Sequence, residues 1–167
     1  EIHVDLSGGL ASALTLDQIR TLLQWVHAQQ GHVTRIDCAL DDLEGSVPVS
    51  TIREAVAAGQ CVTRAAQVRH IVSNLTHGTG ATTGETMYFG SPQSQTLLRI
   101  YDKRLELQSK GQENYQDYGT RWELELKKDR AEQCVRALAT LDEADWKELV
   151  IGLLRSYVDF RQITKET

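Results

Sequence analysis

"TRWELELK", residues 120–127, alternates without a break. In an extended chain successive side chains point to opposite faces. Trp122, Leu124 and Leu126 therefore line one side, and Arg121, Glu123, Glu125 and Lys127 the other. Such a strand needs an apolar layer on one side and can present the other to water or a ligand. Two more stretches obey the same rule. "RIDCALDD" (35–42) sets Ile36, Cys38 and Leu40 against Arg35, Asp37, Ala39 and Asp41. "TLLRIYDKRLE" (96–106), taken as a strand, sets Leu98, Ile100 and Asp102 against Leu97, Arg99, Tyr101 and Lys103. If the three share a sheet, their apolar faces must meet the helices together, so their ionisable faces coincide.

The rest of the chain supplies those helices. Residues 2–6 alternate as a short strand closed by Ser7-Gly8-Gly9. Thr15 is placed to cap a helix that stops at Gly31, and Ser50 or a neighbour caps a short helix through Ala58, ended by Gly59. "QCVTRAAQVRHIVSN" (60–74) reads as one strand, "THGTGATTG" (76–84) as a Gly/Thr-rich turn, and "ETMYFGS" with "TLLRIYDK" as a hairpin across "PQSQ" (92–95). A polar connection (111–119) leads to the 120–127 strand, and 129–140 and 143–156 are amphipathic helices. Trp25, Trp122 and Trp146 fall on apolar faces and are read as core. The order β-α-β-α-β-β-β-β-α-α predicts an α+β fold, one domain over residues 1–167, with a largely antiparallel sheet and helices on one face.

Composition narrows the function. The 167 residues are 41% apolar and 25% charged, ordinary for a globular chain. No apolar run is long enough for a membrane span, and no secretory segment opens the chain. It begins on Glu1 rather than Met, as expected of a domain trimmed at its N-terminus. Cys38, Cys61 and Cys134 are odd in number and lack CxxC spacing, which argues against a disulfide framework or zinc site and for a reducing cytoplasm. The five histidines form neither HxH nor HExxH. The net charge of −5 opposes nucleic-acid binding at first sight. It is uneven, however: residues 1–59 carry 3 Lys/Arg against 8 Asp/Glu, whereas residues 60–128 carry 9 against 7.

Two readings of the shared ionisable face stand side by side. One is a solvated surface laced with cross-strand ion pairs. The other is a site. Asp is a poor strand former, and Asp37, Asp41 and Glu123 could hold Mg or Mn if Asp41 bends inward at the strand end. Tyrosine, with a free pKa of about 10, becomes a usable nucleophile beside a metal or cations, and Arg99 and Lys103 flank Tyr101. Tyr88 is read as a structural aromatic, since its own strand places no cation beside it. Ser91 and Gly90 could offer backbone N–H groups to phosphate or simply turn a hairpin.

"VTRIDCALDD", "ETMYFGSPQSQTLLRIYDKRLE" and "RWELELKKD" together resemble the Rep_trans family, the replication initiators of rolling-circle plasmids and their relatives in phages and conjugative elements. The resemblance spans roughly residues 33–131. It implies a sheet related to that of the HUH nucleases with acidic residues in place of the histidine pair, and a metal-dependent DNA nicking and joining enzyme. In that reading Tyr101 becomes linked to a 5′ phosphate, with Arg99 and Lys103 beside it. Asp37, Asp41 and Glu123 hold the metal, and Arg121, Arg35 and Ser91 contact DNA. The implied partner is single-stranded DNA or an extruded origin hairpin; a host helicase and a homodimer are further partners it admits. Alternatives kept open are a conjugative relaxase, a DNA-hairpin-binding module without catalysis, and a nuclease in which water attacks.

Overall fold

The computed structural model describes residues 3–75 and 82–161. Its centre is a five-stranded antiparallel sheet of β1 (Arg35–Asp42), β3 (Val68–Leu75), β4 (Thr82–Phe89), β5 (Thr96–Asp102) and β6 (Thr120–Lys127), in the order β1-β6-β5-β4-β3. The three alternating stretches occupy adjacent positions, so their apolar residues form one surface. Leu98 pairs with Leu124 and that with Cys38; Ile100 pairs with Trp122 and that with Leu40. Helices cover this side: α2 (Leu16–Ala28), α3 (Val49–Ala57), α5 (Asp129–Thr140) and α6 (Glu143–Tyr157). Phe89, Leu98, Ile100, Ala131 and Val135 are fully buried between the layers. Cys38 and Cys134 join them as reduced thiols, their Sγ atoms 3.9 Å apart. The expected α+β architecture with one helix-covered face is therefore what the chain adopts.

Local signals explain most elements. Thr15 caps α2 through a capping box with Gln18, whose side chain accepts from the Thr15 N–H at 2.9 Å. The β4–β5 hairpin turns at Gly90, which has φ +98°. A Cβ there would also meet the Tyr157 hydroxyl, which donates to Thr96 O at 3.1 Å and ties the hairpin to α6.

Several expectations fail for identifiable reasons. Residues 3–7 form no strand; Ser7 instead caps a short helix, α1 (Gly8–Ala13), because its hydroxyl accepts from Leu10 N. The 60–74 segment is two strands. β2 (Cys61–Thr63) pairs with a short β7 (Val158–Phe160) outside the main sheet, and only β3 joins it. The run "TLLRIYDKRLE" stops being a strand at Asp102, whose side chain accepts from Leu105 N at 2.8 Å and caps α4 (Lys103–Ser109). Trp25 is 57% exposed rather than core, whereas Trp146 is buried and donates to Leu138 O. Residues 76–81 of the expected Gly/Thr-rich turn lie outside the described residues, and 82–84 belong to β4. No helix among the described residues is long and apolar enough to cross a membrane.

One glycine sets the geometry where β1 and β6 end together. A Cβ at Gly119 would collide with Asp42 O and stand 2.8 Å from Gly45 N, both backbone atoms that cannot swing aside. Gly119→Ala is expected to cost about 1–3 kcal/mol and to lower the melting temperature by several degrees. A thermal melt matching that of the native chain would contradict this close approach.

Candidate active site

The sheet face turned away from the helices carries the ionisable residues in rows that the strand register defines. One row runs Asp41, Arg121, Tyr101, Thr86, Ile71 across β1, β6, β5, β4 and β3. The next runs Ala39, Glu123, Arg99, Tyr88, Arg69. A third sets Asp37 beside Glu125 and Leu97.

Glu123 stands at the middle. The Tyr101 hydroxyl donates to its Oε2 at 3.0 Å, and an Arg99 guanidinium nitrogen donates to its Oε1. Burial, followed by the Glu123 charge and this hydrogen bond, pushes the Tyr101 phenol well above its ordinary pKa; Arg121 opposes the shift. The resting tyrosine is thus neutral and aimed at a carboxylate.

The surrounding charges are matched. Arg121 holds Asp41 by two hydrogen bonds of 2.6 and 2.7 Å, which hold the guanidinium above its already high pKa. Arg35 grips Asp37 at 2.7 and 2.9 Å and reaches Glu125 at 2.8 Å. Lys127 Nζ lies 2.6 Å from Glu125, whose side chain is only 6% exposed. Such a network fixes side-chain directions more than it adds stability.

The carboxylates also decide whether a hard cation suits the face. Asp37 and Glu125 approach the same Arg99 nitrogen that Glu123 binds, at 3.7 and 4.0 Å. Three oxygen donors of the kind Mg or Mn prefers thus converge on a position now held by a guanidinium. Among the described residues no three His, Cys, Asp or Glu side chains stand close enough to hold an ion as they are. The oxygen donors are of the type a divalent cation prefers, but as placed they are paired with Arg35, Arg99 and Lys127 rather than open to an ion. Arg99 Nε is itself buried without a hydrogen-bond partner.

The expected residues are only partly brought together. Tyr101, Arg99, Glu123 and Arg121 are mutual neighbours, Asp37 stands one row further and Arg35, opposite Lys127, two. Asp41 does not bend inward: β1 runs through Asp42, leaving Asp37 and Asp41 four residues apart, about 13 Å along an extended strand. They cannot share one ion there. Lys103 is not a strand neighbour of Tyr101 but the first residue of α4. Its Nζ pairs with Glu106 at 2.5 Å, yet it still lies 5.8 Å from the Tyr101 ring centroid. Ser91 lies in the hairpin at the opposite end of β5, and its hydroxyl is engaged with Gln93. Alternation placed Glu125 on the right face; its convergence on Arg99 needed the register. Tyr88 has a cation after all, because Arg69 on β3 lies over its ring at 5.3 Å.

The class the fold and site define is an antiparallel sheet covered by helices on one face, with a tyrosine among arginines and carboxylates on the other. The chain belongs to the replication initiation factor family, Rep_trans, whose profile matches residues 31–167. It is 30% identical over 144 residues to a Bacillus subtilis (strain 168) protein named "Putative DNA relaxase NicK", covering 83% of this chain and 40% of that protein. It also matches the solved structure of a rolling-circle replication initiator protein from Geobacillus stearothermophilus. That match has TM-score 0.66 and 31% identity, over 81% of this chain and 49% of that one. The chain thus spans under half the length of these relatives.

Proposed function

We propose that this domain nicks and rejoins single-stranded DNA through a covalent bond to Tyr101. The observation that carries the reading is the Tyr101–Glu123–Arg99 contact on the open sheet face of a replication initiation factor domain. In the nicking step the Tyr101 oxygen attacks the scissile phosphorus. The new bond is Tyr101 O–P, the broken bond is P–O3′, and its electron pair leaves on O3′, which takes up a proton. The phenol loses its own proton, for which Glu123 is the acceptor in contact.

Charge builds on the phosphate oxygens during attack, and cations already in place stabilise it. Arg99, two residues from Tyr101 along the face and with its guanidinium held by Glu123, supplies one positive group. Arg121, held by Asp41 directly beside Tyr101, supplies a second positive group. Lys103, above the tyrosine ring, is a third. Glu123, Asp37 and Glu125 would hold a divalent cation only once released from Arg99 and Arg35, and it would then supply positive charge at the phosphate. Arg35 positions Asp37 and Glu125; Asp41 positions Arg121 and is not needed as a ligand.

The test is incubation of the protein with labelled single strands tiled across the DNA around its own gene, with Mn²⁺. A labelled protein band that survives denaturation is expected. Cleavage without that band would favour attack by water, and tight binding without cleavage a purely DNA-binding role. The similarity to a named relaxase keeps a transfer origin beside a replication origin as the natural substrate. A neighbouring gene for a coupling protein, rather than a helicase, would decide for transfer.

A further inference from the structure

Three observations converge on the part of the open face that the proposed chemistry leaves unused. Tyr88 sits beside Arg99 in register and diagonal to Tyr101, a cross-strand offset of about 7–8 Å. Arg69 stacks its guanidinium over the Tyr88 ring at 5.3 Å from the centroid. Ile71, in the same row as Tyr101, is 45% exposed although apolar.

Charge distinguishes this corner from the rest of the face. Arg35, Arg99, Arg121 and Lys127 are each neutralised by a carboxylate. Arg69 is exposed and, among the described residues, pairs with none of the face's carboxylates. An aromatic plane, a free positive charge and an apolar neighbour are what an unpaired nucleotide recognises: stacking for the base and a cation for the phosphate, without regard to sequence.

We infer that Tyr88 and Arg69 form a stacking platform for a base of the DNA strand, within a nucleotide or two of the one whose phosphate meets Tyr101. This rests on the strand-transfer reading and extends it, since it gives the DNA a direction across the sheet, from β3 and β4 toward β5 and β6. Tyr88 and Arg69 act here as positioning residues. They orient the strand and do not touch the reacting atoms.

The experiment measures binding of a fluorescent single-stranded oligonucleotide of mixed sequence to the full chain in the Tyr101→Phe background, so that nothing is cleaved. Tyr88→Ala is expected to weaken binding about 5–150-fold, whereas Tyr88→Phe and Tyr88→Trp, which keep a plane, retain it. Arg69→Ala should reduce the slope of log affinity against log salt by about one ion. A base analogue whose fluorescence reports stacking, scanned along the oligonucleotide, should be quenched at one position only when residue 88 is aromatic. Lys147→Ala, on α6, serves as the unaffected control.

Tyr88→Ala binding like the native chain would overturn the platform. So would a Tyr88→Phe variant as weak as Tyr88→Ala, because the contact would then run through the hydroxyl. Melting curves identify a misfolded Tyr88→Ala, in which case the salt slope of Arg69→Ala decides. The two readings fail separately. A native chain that never forms an adduct but depends on Tyr88 for binding would lose the chemistry and keep the platform. An adduct formed with no dependence on Tyr88 would do the reverse.

Discussion

Tyr101→Phe is expected to abolish the covalent protein–DNA band, a loss on the order of 10⁴-fold or more, as for removal of a nucleophile. The substitution deletes one oxygen and one hydrogen bond, to Glu123. The ring remains, so packing along β5 and the register with Arg121 and Thr86 should survive. Stability should change by about 1 kcal/mol, the net worth of one such bond. Denaturing electrophoresis after incubation with labelled DNA reads the first effect, and a thermal melt the second. A persistent adduct in the phenylalanine variant would transfer the role to another tyrosine. Tyr88, diagonal to Tyr101 on the same face and with Arg69 over its ring, would be next in line.

Glu123→Gln has two expected effects that move in opposite directions. The amide keeps the side chain's length and can still accept from the Tyr101 hydroxyl, but its negative charge is gone. The phenol's raised pKa owes part of its shift to that charge, so Tyr101 should ionise at lower pH. Difference titration against Tyr101→Phe isolates it from the other tyrosines. A more acidic phenol alone would speed attack at neutral pH. Adduct formation should nevertheless fall about 10²–10³-fold, the usual cost of one lost electrostatic group at a reacting centre. The loss arises because Glu123 also receives the proton, orients Arg99 and belongs to the carboxylate set suited to a cation. A titration that does not move would remove Glu123 as the cause of the shift. A rate that rises with the acidity of the phenol would reduce Glu123 to a brake on the tyrosine.

The sign of the pH dependence follows from the same contact. A tyrosine whose pKa is raised stays protonated through neutral pH, so attack starts from the phenol. With Glu123 taking the proton, adduct formation by the native chain should be nearly flat around neutral pH, whereas Glu123→Gln, left to attack as the phenolate, should climb as pH rises.

How much of this was legible beforehand differs by element. The alternation in 35–42, 96–102 and 120–127 reports the face of each strand, because a period of two follows from the extended backbone itself. Three such strands place Arg99, Tyr101, Arg121, Glu123, Asp37 and Asp41 on one surface before any contact is known. The cap at Thr15 and the two amphipathic helices near the C-terminus were equally readable, since their signals lie within four residues of one another. Two readings failed where alternation ran into a competing local bond. At Asp102 a side-chain cap outbid the next strand residue and carried Lys103 into α4. At Ser7 a hydroxyl turned an expected strand end into a helix start.

The sequence by itself determined the layers, the shared ionisable face and, through its resemblance, the family. Only the tertiary structure decided who touches whom on that face. Register is a relation between strands distant in sequence, set by the packing of whole apolar surfaces against the helices. It makes Glu123 rather than Asp41 the neighbour of Tyr101, gathers Asp37, Glu123 and Glu125 on Arg99, and lays Arg69 over Tyr88 from a strand whose own side-chain pattern gave no sign of it.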